Sequence, residues 1–291
     1  MAEPWTTLRL LAWTQGFFGQ KGIDAPRLTA ELLLAHALRC DRVRLYLDFD
    51  KPLGDAELAA FRELVRRRAE REPTAYLLGA REFHGRSFQV DARVLVPRPE
   101  TEHVLEAALA ALPADAAGLR ALDLCTGSGA LAISLALERP DAQVVATELS
   151  PDALAVAREN AARLGAAGVT FLEGDLYAPL APEERFDVIV SNPPYVPRGE
   201  LDTLPPEVRR EPRLALDGGE DGLAISRRIA AEAPARLRPG GVLVLEMHES
   251  HLHDLPAICL QHGFERAEPR RDLAGLPRLV VAHMAGPVAP A

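Results

Sequence analysis

The run Phe186-Asp187-Val188-Ile189-Val190-Ser191 leads straight into Asn192-Pro193-Pro194-Tyr195, and this junction constrains the fold more than any other stretch. The first six residues have the apolar, β-branched character of a buried strand. The next four break it. Neither proline donates a ladder hydrogen bond, and Pro194 biases Pro193 toward an extended conformation. The Asn192 carboxamide is therefore expected at a fixed place beyond the strand end. It offers both an acceptor and a pair of donors. With the proline carbonyls and the flat face of Tyr195, it would form a small pocket for a planar NH2 group. Taken alone, the tetrapeptide reads more readily as a proline turn after a buried strand; a partner motif upstream reverses that reading.

A second junction lies upstream. Arg120 to Cys125 reads as a strand, Thr126-Gly127-Ser128-Gly129 as a turn, and the apolar spacing from Ala130 to Leu137 as a helix. Glycine permits a tight turn and close backbone approach to a ligand. Glu148 ends the next strand, 25 residues after Asp123, a spacing that suits a ribose diol. The G-x-G-x-x-G spacing is missing, which favours a nucleoside ligand over a dinucleotide.

Strands and helices alternate through the rest of the chain. Strands are expected at 143–148, 169–172, 186–191 and 242–247. Helices are expected from Ser150 and over about 102–112, 221–237 and 252–262, and two further strands at 264–269 and 278–284. Ser150 is placed to cap its helix, with Pro151 in the first turn. The pattern implies a mostly parallel, doubly wound α/β sheet. In such sheets ligands sit beyond the C-terminal strand ends, where Cys125, Glu148, Asp175 and Asn192 converge. Residues 197–220 form a long, proline-containing loop expected to face substrate.

The front of the chain has a different period. Residues 1–75 read as a small helical domain in which Trp5, Leu8, Leu11 and Ala12 recur at helix spacing. Asp24 is expected to cap a second helix that starts with Pro26. Arg66, Arg67, Arg68 and Arg71 read as a solvated helix end, or as a contact for an acidic or RNA-bearing partner. The domain has no obvious catalytic cluster, so recruitment is its expected role. Residues 76–99 read as a linking β-hairpin around Gly85, beside which His84 is expected to be an exposed polar residue. Residues 100–291 form the large domain.

A net charge of −9 argues against a nonspecific nucleic-acid binder. Cys40, Cys125 and Cys259, odd in number and far apart, indicate a reducing, cytoplasmic setting. No apolar stretch is long enough for a membrane span, and no signal peptide is read at the start.

The motifs also carry a resemblance. Pro97-Arg98-Pro99-Glu100-Thr101-Glu102, Asp123 to Gly129, Asn192-Pro193-Pro194-Tyr195 and Glu211-Pro212-Arg213-Leu214-Ala215-Leu216 resemble those of the HemK/PrmC-like protein-(glutamine-N5) methyltransferases, which modify peptide chain release factors. The resemblance spans nearly the whole chain. It implies a class I S-adenosylmethionine-dependent methyltransferase fold with a small N-terminal helical domain and a linking β-hairpin. It also implies contact with S-adenosylmethionine by Cys125, Thr126, Gly127, Ser128, Gly129, Glu148, Leu176 and Asn192. Asp175 is expected to recognise the adenine amino group or shape its pocket. Asn192, Pro193, Pro194 and Tyr195 are expected to receive the glutamine amide of the release-factor Gly-Gly-Gln motif.

Cys125 stands where many relatives have glycine, and Leu176 where some have an aromatic residue. Glu246-Met247-His248-Glu249-Ser250-His251 replaces a more usual Glu-Ile-Gly-x-x-Gln. No metal is expected at these histidines, because methyl transfer from a sulfonium needs none. Two alternatives stand beside the release-factor reading: an adenine-N6 methyltransferase acting on DNA or RNA, and a noncatalytic, cofactor-stabilised interaction protein. No stable nucleic-acid partner is expected, and the sequence leaves open whether the release factor is met free or on the ribosome.

Overall fold

The structure is a computed structural model that describes residues 4–112, 118–272 and 274–286. Its contacts divide the chain into two units. One comprises Met1–Ala80 together with Pro205–Arg210, the other Arg81–Leu204 with Glu211–Ala291. No helix among the described residues is long and apolar enough to cross a membrane.

The first unit is built from α1 (Thr7–Gln20), α2 (Pro26–Leu38), α3 (Arg42–Leu47), α4 (Asp55–Ala69) and α5 (Thr74–Leu78). Phe18, Leu33, Leu34, Leu45 and Phe61 form the centre of its core. The buried side of α1 is Thr7, Leu10, Thr14 and Phe18, at spacings of three and four residues that share one face. The stripe expected at Trp5 and Leu8 is instead exposed, at 39% and 54%. The cap of α2 also differs from expectation. Ala25 occupies the N-cap with φ 43° and makes no side-chain bond, because Asp24 lies one residue too early. The Asp24 carbonyl instead accepts from Thr29 Oγ1 at 3.2 Å.

The arginine run is a solvated helix end only in part, at the exposed Arg66. Arg66 bridges Glu63 and Glu70, and Arg67 pairs with Glu72. Arg68 is buried and donates to Glu207 Oε1 at 2.7 Å, the oxygen that Arg71 reaches at 3.1 Å. Glu207 belongs to the returning segment Pro205–Arg210. A partner so distant in sequence leaves no local trace.

The second unit opens with a hairpin of β1 (Ala80–Phe83) and β2 (Arg86–Gln89), then α6 (Glu102–Ala111). The strands β3 (Arg120–Leu124), β4 (Gln143–Glu148), β5 (Thr170–Glu173), β6 (Phe186–Ser191), β7 (Leu237–Glu246), β8 (Arg266–Arg271) and β9 (Pro277–His283) form one sheet. Their order is β5-β4-β3-β6-β7-β9-β8. The first five are parallel, and β9 pairs antiparallel with both β7 and β8. The remaining helices are α7 (Ala130–Glu138), α8 (Pro151–Leu164), α9 (Ala224–Arg236) and α10 (Asp254–Gln261).

Strand side chains alternate between two cores. Ala121, Val188, Val190, Val242 and Val244 face α6 and α7. Leu122, Leu124, Ile189, Leu243 and Leu245 face α9 and α10. The central strands are covered on both faces, which explains their continuous apolar runs. Pro239, Gly240 and Gly241, ahead of the strand expected at 242–247, are absorbed into β7 as an irregularity. Phe186 pairs with Leu237, but Val188 pairs with Val242.

Candidate active site

The parallel strands end on one side of the sheet, and the chain just beyond β3 and β5 takes left-handed backbone at Cys125 and Leu176. After β3, Cys125 takes φ 60° and Gly127 φ 56°. At the first value a residue with a Cβ is strained. Thr126 N donates to Thr147 O at 3.1 Å, tying the turn to β4. Asp123 Oδ2 accepts from Thr126 Oγ1 at 2.6 Å and from Ala132 N at 3.1 Å. Asn160 Nδ2 holds the Ser128 carbonyl at 3.0 Å. Gly129, at φ 82°, starts α7, and a Cβ there would lie 2.7 Å from Ile133 Cδ1.

A cavity opens over these strand ends, wholly within the second unit. Cys125, Gly127, Glu148, Asp175, Leu176, Asn192 and Pro194 line it. Thr126, Ser128 and Gly129 do not; they brace the turn from behind. Pro193 and Tyr195 also lie outside its lining. The structure adds lining residues that the sequence did not single out, Arg93, Val94 and Leu95 before α6 and Thr147 on β4, and it brings Pro212, Leu214 and Ala215 of the Glu-Pro-Arg motif to the same cavity. The only sequence signal for the first four was proximity to motifs. Glu211 shows why they arrive there. Its buried carboxylate accepts from Val96 N at 2.9 Å and from Arg98 at 2.6 Å, joining the Glu-Pro-Arg and Pro-Arg-Pro motifs.

Glu148 has two local duties. Its Oε2 accepts from Gly127 N and its Oε1 from Ser150 N, each at 2.9 Å. A carboxylate has about four lone-pair sites, so capacity remains toward the cavity. Asp175 Oδ2 is held by Arg228 at 2.8 Å. Leu176 is buried at φ 51°. Burial and the Glu148 carboxylate push the Cys125 thiol pKa up, which makes it a poor nucleophile.

Behind the Asn192–Tyr195 tetrapeptide lies a polar chain. Asn192 Nδ2 donates to Thr101 Oγ1 at 3.1 Å, Thr101 Oγ1 donates to Glu246 Oε2 at 2.6 Å, and the Tyr195 hydroxyl donates to Glu246 Oε1 at 3.3 Å. Thr101 and Glu246 are both buried.

Comparison with known proteins gives this geometry a family. A model of the PrmC N-terminal domain matches residues 9–79, and a methyltransferase-domain model matches residues 115–270. The release factor glutamine methyltransferase of Geobacter sulfurreducens is 48% identical over 96% of this chain and 96% of its own. That of Rhodopirellula baltica is 44% identical over 95% of this chain and 96% of its own. The chain belongs to the release factor glutamine methyltransferase family. It is a protein glutamine methyltransferase, which sets aside the adenine-acting and noncatalytic alternatives. A methyltransferase from Pyrococcus furiosus shares the fold, with a TM-score of 0.53 at 23% identity over 76% of this chain and 98% of that one. A 16S rRNA methyltransferase of T. thermophilus, solved with AdoMet and guanosine, has a TM-score of 0.54 at 25% identity, covering 70% of this chain and 49% of that one.

The histidine segment that departs from the family pattern is held both within its own loop and by the segment before α9. His251 Nε2 lies 3.0 Å from the Asp221 carbonyl, and His248 Nδ1 lies 2.8 Å from Ser250 Oγ. Among the described residues, no group of three or more His, Cys, Asp or Glu is placed to hold a metal ion. His84 is only partly exposed, with Nδ1 3.4 Å from Glu138.

Two carboxyls of this family member set a pH dependence of stability. Burial pushes Asp123 and Glu246 each up to about 7. Asp123 Oδ1 is buried without a partner. Both groups keep a proton in the folded state that the unfolded chain has already lost, so their contribution to stability falls as pH rises from about 4 to about 7. Asp221, held down to about 2 first by Arg227, acts with the opposite sign and only below that window. Asp123→Asn is therefore expected to lose less stability between pH 5 and pH 8 than the parent, measured by urea unfolding at each pH. Parallel pH slopes in parent and variant would exclude the assignment.

Proposed function

We propose that this enzyme transfers a methyl group from S-adenosylmethionine to the side-chain nitrogen of the Gly-Gly-Gln glutamine in a peptide chain release factor. One observation carries the reading. The Asn192 carboxamide stands at the wall of the cavity that Glu148 and Leu176 line, with its nitrogen already engaged by Thr101. Its oxygen is left to accept from a substrate amide.

The cavity's chemistry fits the cofactor. Glu148 suits the ribose hydroxyls, Leu176 and Ile225 offer apolar walls for a base, and Cys125 and Gly127 border the sugar side. Asp175 serves the adenine end while paired with Arg228. Thr126, Ser128 and Gly129 act by holding the turn in shape. When bound, the cofactor supplies a sulfonium-activated methyl group.

The remaining task belongs to the chain. A glutamine amide is a weak nitrogen nucleophile because its lone pair is delocalised. We assign the Asn192 side-chain oxygen and the Pro193 carbonyl as acceptors for its two hydrogens, with Pro194 and Tyr195 restricting the acceptor group. Positive charge developing on nitrogen is stabilised by these fixed dipoles more than the ground state is. No base need act first; the proton leaves to solvent after transfer. The helical unit is assigned to release-factor docking, in a cytoplasmic setting, with no stable nucleic-acid partner.

Incubation with labelled S-adenosylmethionine and full-length release factor tests the reading, with the product mapped by mass spectrometry. Label on the Gly-Gly-Gln glutamine is expected; an unlabelled factor would sink it. Glu148→Ala removes the ribose acceptor and two local backbone bonds. Hydrogen bonds to a charged group are worth about 1.5–3 kcal/mol, so cofactor affinity is expected to fall roughly 10- to 100-fold, read by calorimetry. Unchanged affinity would remove Glu148 from the cofactor site.

A further inference from the structure

Behind the Asn192 carboxamide a buried polar chain joins two motifs read from sequence, through Thr101 and Tyr195, to Glu246 at the end of β7. We propose that Thr101 and Glu246 are positioning residues that lock the Asn192 carboxamide with its oxygen toward the substrate amide, an inference that rests on the acceptor role given to Asn192 above. A carboxamide can turn over and present either its oxygen or its NH2 group at nearly the same place. Only the first accepts from a glutamine amide; the second repels it. Something must therefore choose, and the choice is made by the direction of hydrogen bonding along the chain.

Ionised Glu246 has no proton to give. It must accept from Thr101 at 2.6 Å and from Tyr195 at 3.3 Å. Once the Thr101 hydroxyl proton is committed to Glu246, the Thr101 oxygen presents only lone pairs to Asn192. Asn192 must then turn its NH2 group inward, as it does at 3.1 Å. Protonated Glu246 reverses the logic. Its O–H can donate to Thr101, which frees the Thr101 proton to point at Asn192 and lets the carboxamide turn over. The ionised form is the competent one.

Glu246 sits at the last position of β7, paired with Leu279 of β9, and is 2% exposed. The charged groups on the surrounding elements are few. Glu100 opposes its ionisation and Arg98 favours it, both from the segment before α6. Arg98 is itself engaged by Glu211. Arg278 on β9 is paired with Asp272. On β6, Asp187 is paired with Arg238. His248 contacts the Tyr195 ring, with centroids 6.3 Å apart. Burial dominates and brings the Glu246 carboxyl up to about 7, so the switch in hydrogen-bond direction falls in the working range of pH. Tyr195 thus acquires a second duty, as the other donor that Glu246 requires.

The test uses the full chain, labelled S-adenosylmethionine and full-length release factor in single-turnover reactions. Thr101→Val keeps the shape of the side chain and removes the acceptor for Asn192. Its rate at saturating cofactor and substrate is expected to fall roughly 10-fold, the scale of a misoriented contact. The calorimetric affinity for S-adenosylmethionine should stay within about threefold, and Thr101→Ser should restore most of the rate. In the parent, the rate is expected to rise with pH and level off above about 7. Glu246→Gln, which cannot ionise, should flatten that rise. The Asn192 side-chain amide protons, observed by NMR, should exchange with water faster in Thr101→Val than in the parent.

A parent-like rate in Thr101→Val overturns the proposal. So does a loss confined to cofactor affinity, or a Thr101→Ser variant no better than Thr101→Val. If Thr101→Val fails to fold, the Glu246→Gln pH profile decides, and an undiminished pH rise overturns it. A parent chain that binds cofactor but labels no release factor overturns the functional reading instead. The NMR exchange rates then judge the network, and equal rates in parent and Thr101→Val reject it.

Discussion

Replacing Asn192 by Ala is expected to lower the single-turnover rate of methyl transfer by a factor of ~100 or more, the scale of losing one preorganised polar contact at a developing charge. The variant removes the acceptor oxygen and also leaves Thr101 Oγ1 without its 3.1 Å donor. Because Asn192 lines the cavity proposed to hold the cofactor, affinity for S-adenosylmethionine must be measured alongside the rate. A near-normal rate with cofactor and release factor both saturating would refute the acceptor role. A loss confined to affinity would reassign Asn192 to cofactor binding. Asn192→Asp is the sharper probe of the surrounding network. It keeps the size and the acceptor but has no NH2 group to give Thr101, whose own proton already serves Glu246 at 2.6 Å. It also adds charge near a buried carboxyl. It is expected to be slow and to recover partly as pH falls, when Glu246 or the new carboxyl can hold a proton.

Gly222→Ala is expected to damage both stability and activity, although residue 222 belongs to none of the motifs read from the sequence above. Gly222 has φ 79°, and a Cβ there would lie 2.4 Å from the Tyr195 carbonyl and 3.0 Å from His251 Cε1. The left-handed conformation costs about 1–2 kcal/mol for alanine, and overpacking typically adds about 1–3 kcal/mol. Relief comes by moving the backbone of the acceptor tetrapeptide. A displacement of about 1 Å at a reacting centre can cost on the order of 100-fold in rate. Reduced unfolding free energy together with slow transfer at saturating substrate is the expected pair of results. Gly199→Ala is the control: it lies in the same connection between β6 and α9, and a Cβ there meets nothing within 4 Å. Equal behaviour of the two variants would dismiss the close packing of Gly222 on Tyr195 as a determinant of the site.

The difference between Asn192 and Gly222 marks how far the sequence could be read. The strand-to-proline junction, the turn after β3 and the acid ending β4 were legible because each is local. A proline cannot extend a ladder, a glycine permits a turn, and a buried parallel strand must be apolar along its whole length. Topology then required Cys125, Glu148, Asp175 and Asn192 to meet beyond the strand ends. Amphipathic period was less reliable where a helix end met a turn: the buried side of α1 begins at Thr7, not Trp5, and the α2 cap is Ala25, not Asp24.

Only the tertiary structure decided which neighbours complete each group. Arg68 reads as part of a surface run until Glu207 returns to it across 139 residues. Glu211 reads as a loop acid until Val96 and Arg98 bind it. Thr101 and Glu246 stand 145 residues apart, yet they set the direction of the hydrogen bonds that reach Asn192. The sequence by itself determined the sheet, the cavity's place on it and the residues that strand ends must present. Folding determined the orientation of those residues, because a hydrogen bond depends on a partner's position in space, and no local preference encodes where a distant strand will bring it.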